Sequence, residues 1–95
     1  MPRVVLTANA AQGLRRCQAF LYRNSPSASQ RAAAAIFKHL KLLETVPEAG
    51  RPGDDGLREL VIPFGDAGYV ALYAYEPDLD IVSVLALRHQ REDDY

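Results

Sequence analysis

The stretch Leu57-Arg58-Glu59-Leu60-Val61-Ile62-Pro63-Phe64, then Gly65-Asp66-Ala67-Gly68, then Tyr69-Val70-Ala71-Leu72-Tyr73-Ala74-Tyr75-Glu76 reads as a β-hairpin and decides the fold. In its first segment Leu60, Ile62 and Phe64 recur with the period of two that a half-buried strand requires. Gly65 to Gly68 is a hairpin connection, and Tyr69 to Glu76 is the returning strand, with Tyr69, Tyr73 and Tyr75 on one side of it. Pro77-Asp78-Leu79-Asp80 makes a second tight turn. Ile81 to Arg88 follows as a nearly all-apolar strand, the composition of a strand at the centre of a sheet or beneath helices. The result is an antiparallel meander with one face to be covered.

The cover comes from upstream. Val46 to Gly56 is the densest cluster of helix and strand breakers in the chain and reads as a loop. Before it, Ser25 fits a helix N-cap and Pro26 the first helical position, where its missing N–H was unpaired anyway. The helix they open runs to about Thr45, with Ala33, Ile36, Phe37, Leu40 and Leu43 expected on its buried face. An earlier helix spans Ala10 to Tyr22, with Asn9 as its expected cap and Ala10, Leu14, Cys17 and Leu21 as its apolar stripe. Gly13 weakens that helix by about 1 kcal/mol relative to Ala, which points to close packing at that position. Arg3 to Thr7 is a short opening strand that must pair at an edge or be inserted by a crossover. The expected class is α+β, in the order β-α-α-β-β-β, with a helical hairpin packed on an antiparallel sheet in a single domain over residues 1–95.

Composition excludes several classes of function. Apolar residues make up 48% and charged residues 24% of 95, an ordinary globular balance. No apolar stretch reaches the length of a membrane span, and residues 1–22 lack the pattern of a secretory signal. The single Cys17 makes no internal disulfide and no metal cluster, which favours a reducing cytoplasm. The net charge of −1 conceals a segregation. Residues 1–43 carry Arg3, Arg15, Arg16, Arg23, Arg31, Lys38 and Lys41 and no carboxylate, while residues 44–95 set four arginines against twelve carboxylates. Such asymmetry marks an interaction surface, unless basic helices simply pack near an acidic sheet and the field cancels locally.

Few residues carry the marks of chemistry. There is no phosphate-binding glycine loop and no metal-ligand spacing. Cys17 sits on an apolar stripe as a small core residue, and His39 reads as a surface histidine. The terminal Arg88-His89-Gln90-Arg91-Glu92-Asp93-Asp94-Tyr95 offers two guanidiniums, an imidazole and a phenol. With Arg58 these form a set able to cradle a phosphodiester, the arginines stabilising charge and His89 or Tyr95 moving a proton. The opposed reading is a solvated tail whose arginines pair with Glu92, Asp93 and Asp94.

The segments Leu57-Arg58-Glu59-Leu60 to Phe64-Gly65, Gly68-Tyr69-Val70-Ala71-Leu72-Tyr73 and Val84-Leu85-Ala86-Leu87-Arg88-His89-Gln90-Arg91-Glu92 together resemble toxins of the RelE/ParE superfamily. The resemblance extends over essentially the whole chain. It implies a bacterial, cytoplasmic, growth-inhibiting toxin of a type II toxin–antitoxin system, held in a hetero-oligomer by a cognate ParD-like antitoxin. RelE-like members cut messenger RNA in the ribosome, and there the matching residues would be Arg58, Arg88, His89 and Tyr95. ParE-like members act on DNA gyrase, with Arg88, His89 and Arg91 as the expected target contacts and no hydrolytic site. Gly53-Asp54-Asp55-Gly56 stands where the RelE type has lysines, and carboxylates repel an RNA phosphate. The ParE type is therefore the expectation. It needs no cofactor, no metal, no membrane and no direct sequence-specific nucleic-acid binding. Arg15, Arg16, Arg23, Arg31, Lys38 and Lys41 are the expected antitoxin surface, because cations attract an acidic amphipathic segment.

Overall fold

The fold is taken from a computed structural model, which describes residues 1–91. Its elements are β1 (Arg3–Leu6), α1 (Ala8–Tyr22), α2 (Pro26–Leu42), β2 (Arg51–Pro52), β3 (Arg58–Phe64), β4 (Ala67–Glu76) and β5 (Ile81–His89). The expected α+β class and the β-α-α-β-β-β order hold, with one short strand added. The sheet order is β1-β5-β4-β3-β2. β3, β4 and β5 form the antiparallel meander.

Two features of the sheet differ from expectation. β1 takes an edge, as expected, but runs parallel to its neighbour β5, from Arg3 opposite Ile81 to Leu6 opposite Val84. The sheet is therefore mixed rather than wholly antiparallel. The chain leaves β1 directly into helices on one face, so β1 joins the meander only through its last strand. The stretch expected as a plain loop contains β2, where Arg51 pairs with Glu59 and Pro52 with Arg58, and a 3-10 turn at Asp54–Gly56. Two residues are too few to show alternation, and a proline is tolerated in a strand only at such an edge.

The helices start where their caps dictate. Thr7, not Asn9, caps α1: its Oγ1 accepts from the Ala10 N–H at 3.2 Å, and the helix begins at Ala8. Asn9 instead donates through Nδ2 to the Leu85 carbonyl at 2.9 Å. That carbonyl is accessible because β4 pairs Leu72 with Ala86 and Tyr73 with Val84, leaving Leu85 unopposed as a bulge. Ser25 caps α2 as expected, its Oγ accepting from the Ala28 N–H at 3.2 Å with Pro26 next in line. α2 ends at Leu42, about a turn before the expected Thr45.

α1 buries Ala10, Gly13, Leu14 and Cys17, and α2 buries Ser29, Ala32, Ile36 and Leu40. Phe37, expected on the buried face, is 51% exposed. The buried stripe runs through Ser29 and Ala32 to Ile36 and Leu40, and the buried Ser29 hydroxyl is satisfied by donating to the Gln18 carbonyl at 3.1 Å. The helices cover the sheet face that carries Ile62, Tyr73, Val82 and Val84, all fully buried. Each such aliphatic side chain contributes about 1.5–3 kcal/mol by leaving water.

Candidate functional site

Where α1 crosses the end of β5 the surface opens into a pocket of about 460 Å³. α1 contributes Arg16, Cys17, Phe20 and Leu21, β4 contributes Tyr69, and the end of β5 contributes His89 and, just beyond it, Arg91. Cys17, Phe20 and Leu21 stand at helical spacings of three and four, so one helix face presents all three. Gly13 lets this helix approach: a Cβ there would lie 2.4 Å from the Leu87 carbonyl oxygen. One turn later Arg16 reaches the same strand, its Nη2 donating a long bond to the Leu87 carbonyl at 3.5 Å.

The strand side is held by ring packing and the ladder. Tyr69 and His89 are register partners whose rings meet edge to face, 5.5 Å between centroids at 89°. The Gln90 N–H donates to the Gly68 carbonyl at 2.9 Å and carries the pairing past β5. The Arg91 N–H donates to His89 Nδ1 at 3.1 Å. Burial first, and Cys17 second, push the Tyr69 phenol above its ordinary range, and the group stays protonated at neutral pH. The pocket thus has an apolar floor, two guanidiniums and an imidazole, and no carboxylate among its described lining residues. Such a surface holds an anion attached to an apolar group. Among the described residues no three His, Cys, Asp or Glu side chains converge as metal ligands.

The residues singled out in the sequence fall into separate places. His89 and Arg91 join Arg16 at the pocket. Arg88 pairs in register with Val70 and faces the side of the sheet away from the helices; its Nη1 donates to the His89 and Gln90 carbonyls at 3.1 and 3.3 Å. Arg58 lies opposite Tyr73 on β3, with β4 between it and β5. Its Nη1 donates to the Gly50 and Glu48 carbonyls at 2.8 and 3.2 Å, and its Nη2 pairs with the Glu48 carboxylate at 3.3 Å. Arg58 therefore straps residues 48–50 to the sheet and does not meet Arg88 or His89. Tyr95 lies outside the described residues, as do Glu92, Asp93 and Asp94. Arg15, Arg23, Arg31, Lys38 and Lys41 are exposed along the helical hairpin, and Arg31 donates to Ser27 Oγ at 3.0 Å. His39 Nδ1 is bonded to the Ala35 carbonyl at 2.8 Å on its own helix.

Sequence reasoning passed over Phe20, which is 67% exposed at the mouth of the pocket. Its signal was readable: three residues after Cys17, Phe20 stands at the edge of the apolar stripe among Arg15, Arg16 and Arg23.

Comparison with known proteins places the whole chain. The family model for the ParE toxin of the type II toxin-antitoxin system, parDE, matches residues 4–94. Toxin RelE3 of Caulobacter vibrioides is 32% identical over 92 residues, covering 97% of this chain and 98% of that protein. A chain of the chromosomal ParDE TA system from P. aeruginosa superposes with a TM-score of 0.76 at 20% identity, covering 94% of this chain and 96% of that one. At that identity the likeness is one of fold.

Proposed function

The chain belongs to the ParE toxin family of type II toxin–antitoxin systems, and from that premise we propose that it arrests bacterial growth by acting on DNA gyrase and is neutralised by a ParD-like antitoxin. The placement of Arg58 carries the preference for gyrase. Its guanidinium is engaged by the Glu48 and Gly50 carbonyls and by the Glu48 carboxylate, with a strand between it and the end of β5. A nuclease needs acid, base and phosphate ligand within hydrogen-bond reach of one scissile phosphate, and Arg58 stands apart from Arg88 and His89. What does gather, Arg16 with His89 and Arg91 over an apolar floor, suits recognition of a protein surface. Arg88, on the other face of the same strand end, extends the target contact. The protein acts in the cytoplasm, where gyrase is found; among the described residues no helix is long and apolar enough to cross a membrane.

One observation favours a second reading. The 32% identity to Toxin RelE3 keeps ribosome-dependent cleavage of messenger RNA as the alternative, with Arg58, Arg88, His89 and Tyr95 in the catalytic roles. Induction in growing bacteria without antitoxin separates the two. The gyrase reading expects DNA synthesis to stop first, with breaks on the chromosome and intact messages. Messages cut within codons while replication forks still move would overturn it.

A further inference from the structure

We infer that the bulge at Leu85 aims the target-contacting end of β5, and that Asn9, which reaches it from α1, is a positioning residue for that contact. The inference rests on the gyrase reading above. Up to Val84, β5 is held by two ladders, β4 on one side and β1 on the other. The β1 ladder ends at the Leu6–Val84 pair, and Leu85 is the next residue. Among the described residues no other strand takes over that edge of β5.

The bulge decides which side chains go to which face. Before it, Val82 and Val84 lie opposite Tyr75 and Tyr73, beneath the helices. After it, Leu87 and His89 lie opposite Ala71 and Tyr69 on that same face, with Ala86 and Arg88 on the other. Strict alternation from Val84 would put Arg88 under the helices and His89 on the open face. The one extra residue reverses the assignment for everything that follows it, so His89 goes to the pocket and Arg88 to the open face. A bulge also bends and twists its strand, so the direction of the last residues depends on how firmly it is held.

The hold comes from the start of α1. The Thr7 N–H donates to the Val84 carbonyl at 3.0 Å. Thr7 Oγ1 donates to the same carbonyl at 2.9 Å, with the Leu85 carbonyl 3.3 Å away. Asn9 Nδ2 donates to the Leu85 carbonyl at 2.9 Å. Thr7 has a second task as the cap of α1. Asn9 is exposed inside the helix, where alanine is the better helix former, and its amide bonds to a strand 76 positions away. It therefore acts through Leu85 on the placement of Arg88, His89 and Arg91.

The test compares Asn9→Ala and Asn9→Asp with Tyr73→Phe, both in supercoiling by purified gyrase and in amide hydrogen exchange of each folded chain. Alanine raises helix propensity, and a carboxylate near a helix N-terminus is favourable, so both Asn9 variants keep α1 and cut the bond to Leu85. Both should raise the half-inhibitory concentration by about tenfold, the scale of one charge-assisted hydrogen bond lost at the target. Their exchange should quicken locally at residues 86–89, with α2 and β3 exchanging as in the native chain. Tyr73→Phe loosens residues 47–50 from the sheet and should lower the thermal midpoint further, yet inhibit as the native chain does. Native inhibition by both Asn9 variants, an equal loss in Tyr73→Phe, or exchange that quickens evenly through sheet and helices overturns the inference. A native chain that leaves supercoiling untouched counts instead against the gyrase reading. The exchange pattern then decides the aiming role alone: local quickening supports it and even quickening overturns it.

Discussion

A methyl group added to Gly13 would sit 2.4 Å from the carbonyl oxygen of Leu87, with the Leu87 carbonyl carbon and nitrogen at 3.3 and 3.4 Å. The obstacle is backbone on both sides, so neither α1 nor β5 relieves it by a change of rotamer. Gly13→Ala gains about 1 kcal/mol of helix propensity and meets overpacking of about 1–3 kcal/mol. The overpacking wins where only backbone can move, and the thermal midpoint should fall by several degrees, at roughly 4–8 °C per kcal/mol for a domain of this size. Antitoxin binding should weaken as well, because α1 would lift the Arg16 wall of the pocket away from β5. A midpoint that rises would show that the helix does not press on the strand.

Tyr73 gives the fold an alkaline limit. Its hydroxyl donates to the Pro47 carbonyl at 2.9 Å and accepts from the Gly50 N–H at 2.8 Å. Burial pushes its phenol above the ordinary range, and the Gly50 bond and Arg58 pull it only part of the way back. The folded state then holds a proton that the unfolded chain releases near pH 10. Stability is fully present below that pH and is lost as pH rises through the folded value. Urea midpoints should fall as the pH rises beyond about 10. Tyr73→Phe should begin about 1–3 kcal/mol lower, with the Gly50 N–H deprived of its acceptor. Its alkaline fall should be shallower but not absent, since the phenols of Tyr69 and Tyr75 are raised too.

Arginines at different positions should fail in different ways. Arg58→Ala removes the strap on residues 48–50 and should cost stability, by about 1–3 kcal/mol for a charged hydrogen bond, while leaving growth arrest intact at permissive temperature. Arg88→Ala and Arg91→Ala should weaken target binding by a similar amount each and relieve growth arrest, Arg91→Ala without lowering the midpoint. His89→Gln should matter little, because a recognition surface transfers no proton. A rate loss of about 10²–10⁴-fold from His89→Gln with binding preserved would mark acid–base chemistry instead.

Association with the antitoxin should depend on salt. Arg15, Arg23, Arg31, Lys38 and Lys41 are all exposed on the hairpin, and on the proposed reading they would steer an acidic segment from a distance. Stopped-flow association rates should drop steeply between about 50 and 500 mM salt, as screening shortens the reach of those charges, while dissociation changes much less. A flat association profile would remove the helical cations from the encounter surface.

The parts of this fold legible in the sequence are those with a strong local signal. Alternating Leu60, Ile62 and Phe64, the Gly65–Asp66 hairpin and the Ser25-Pro26 helix start each satisfy their own backbone groups, so neighbours far along the chain alter them little. The parts misread are set from a distance. Thr7 rather than Asn9 caps α1 because the bulge at Leu85, some eighty residues away, offers its carbonyl to both side chains. Phe37 stays exposed while Ser29 is buried, a polar residue that its own sequence neighbourhood does not mark for burial but that finds an acceptor in the Gln18 carbonyl on the other helix. The candidate site was half legible. His89 and Arg91 stood out as basic residue types in an acidic half, but their union with Arg16 and Phe20 depends on how closely Gly13 lets α1 approach β5.

Purified gyrase and relaxed plasmid, with and without this protein, put the gyrase reading to its plainest test. Supercoiling should be inhibited, or cleaved DNA should accumulate, in proportion to the toxin added, and addition of the antitoxin should restore it. Undisturbed supercoiling at every concentration, together with messenger RNA cut in a ribosome assay by the same preparation, would contradict it.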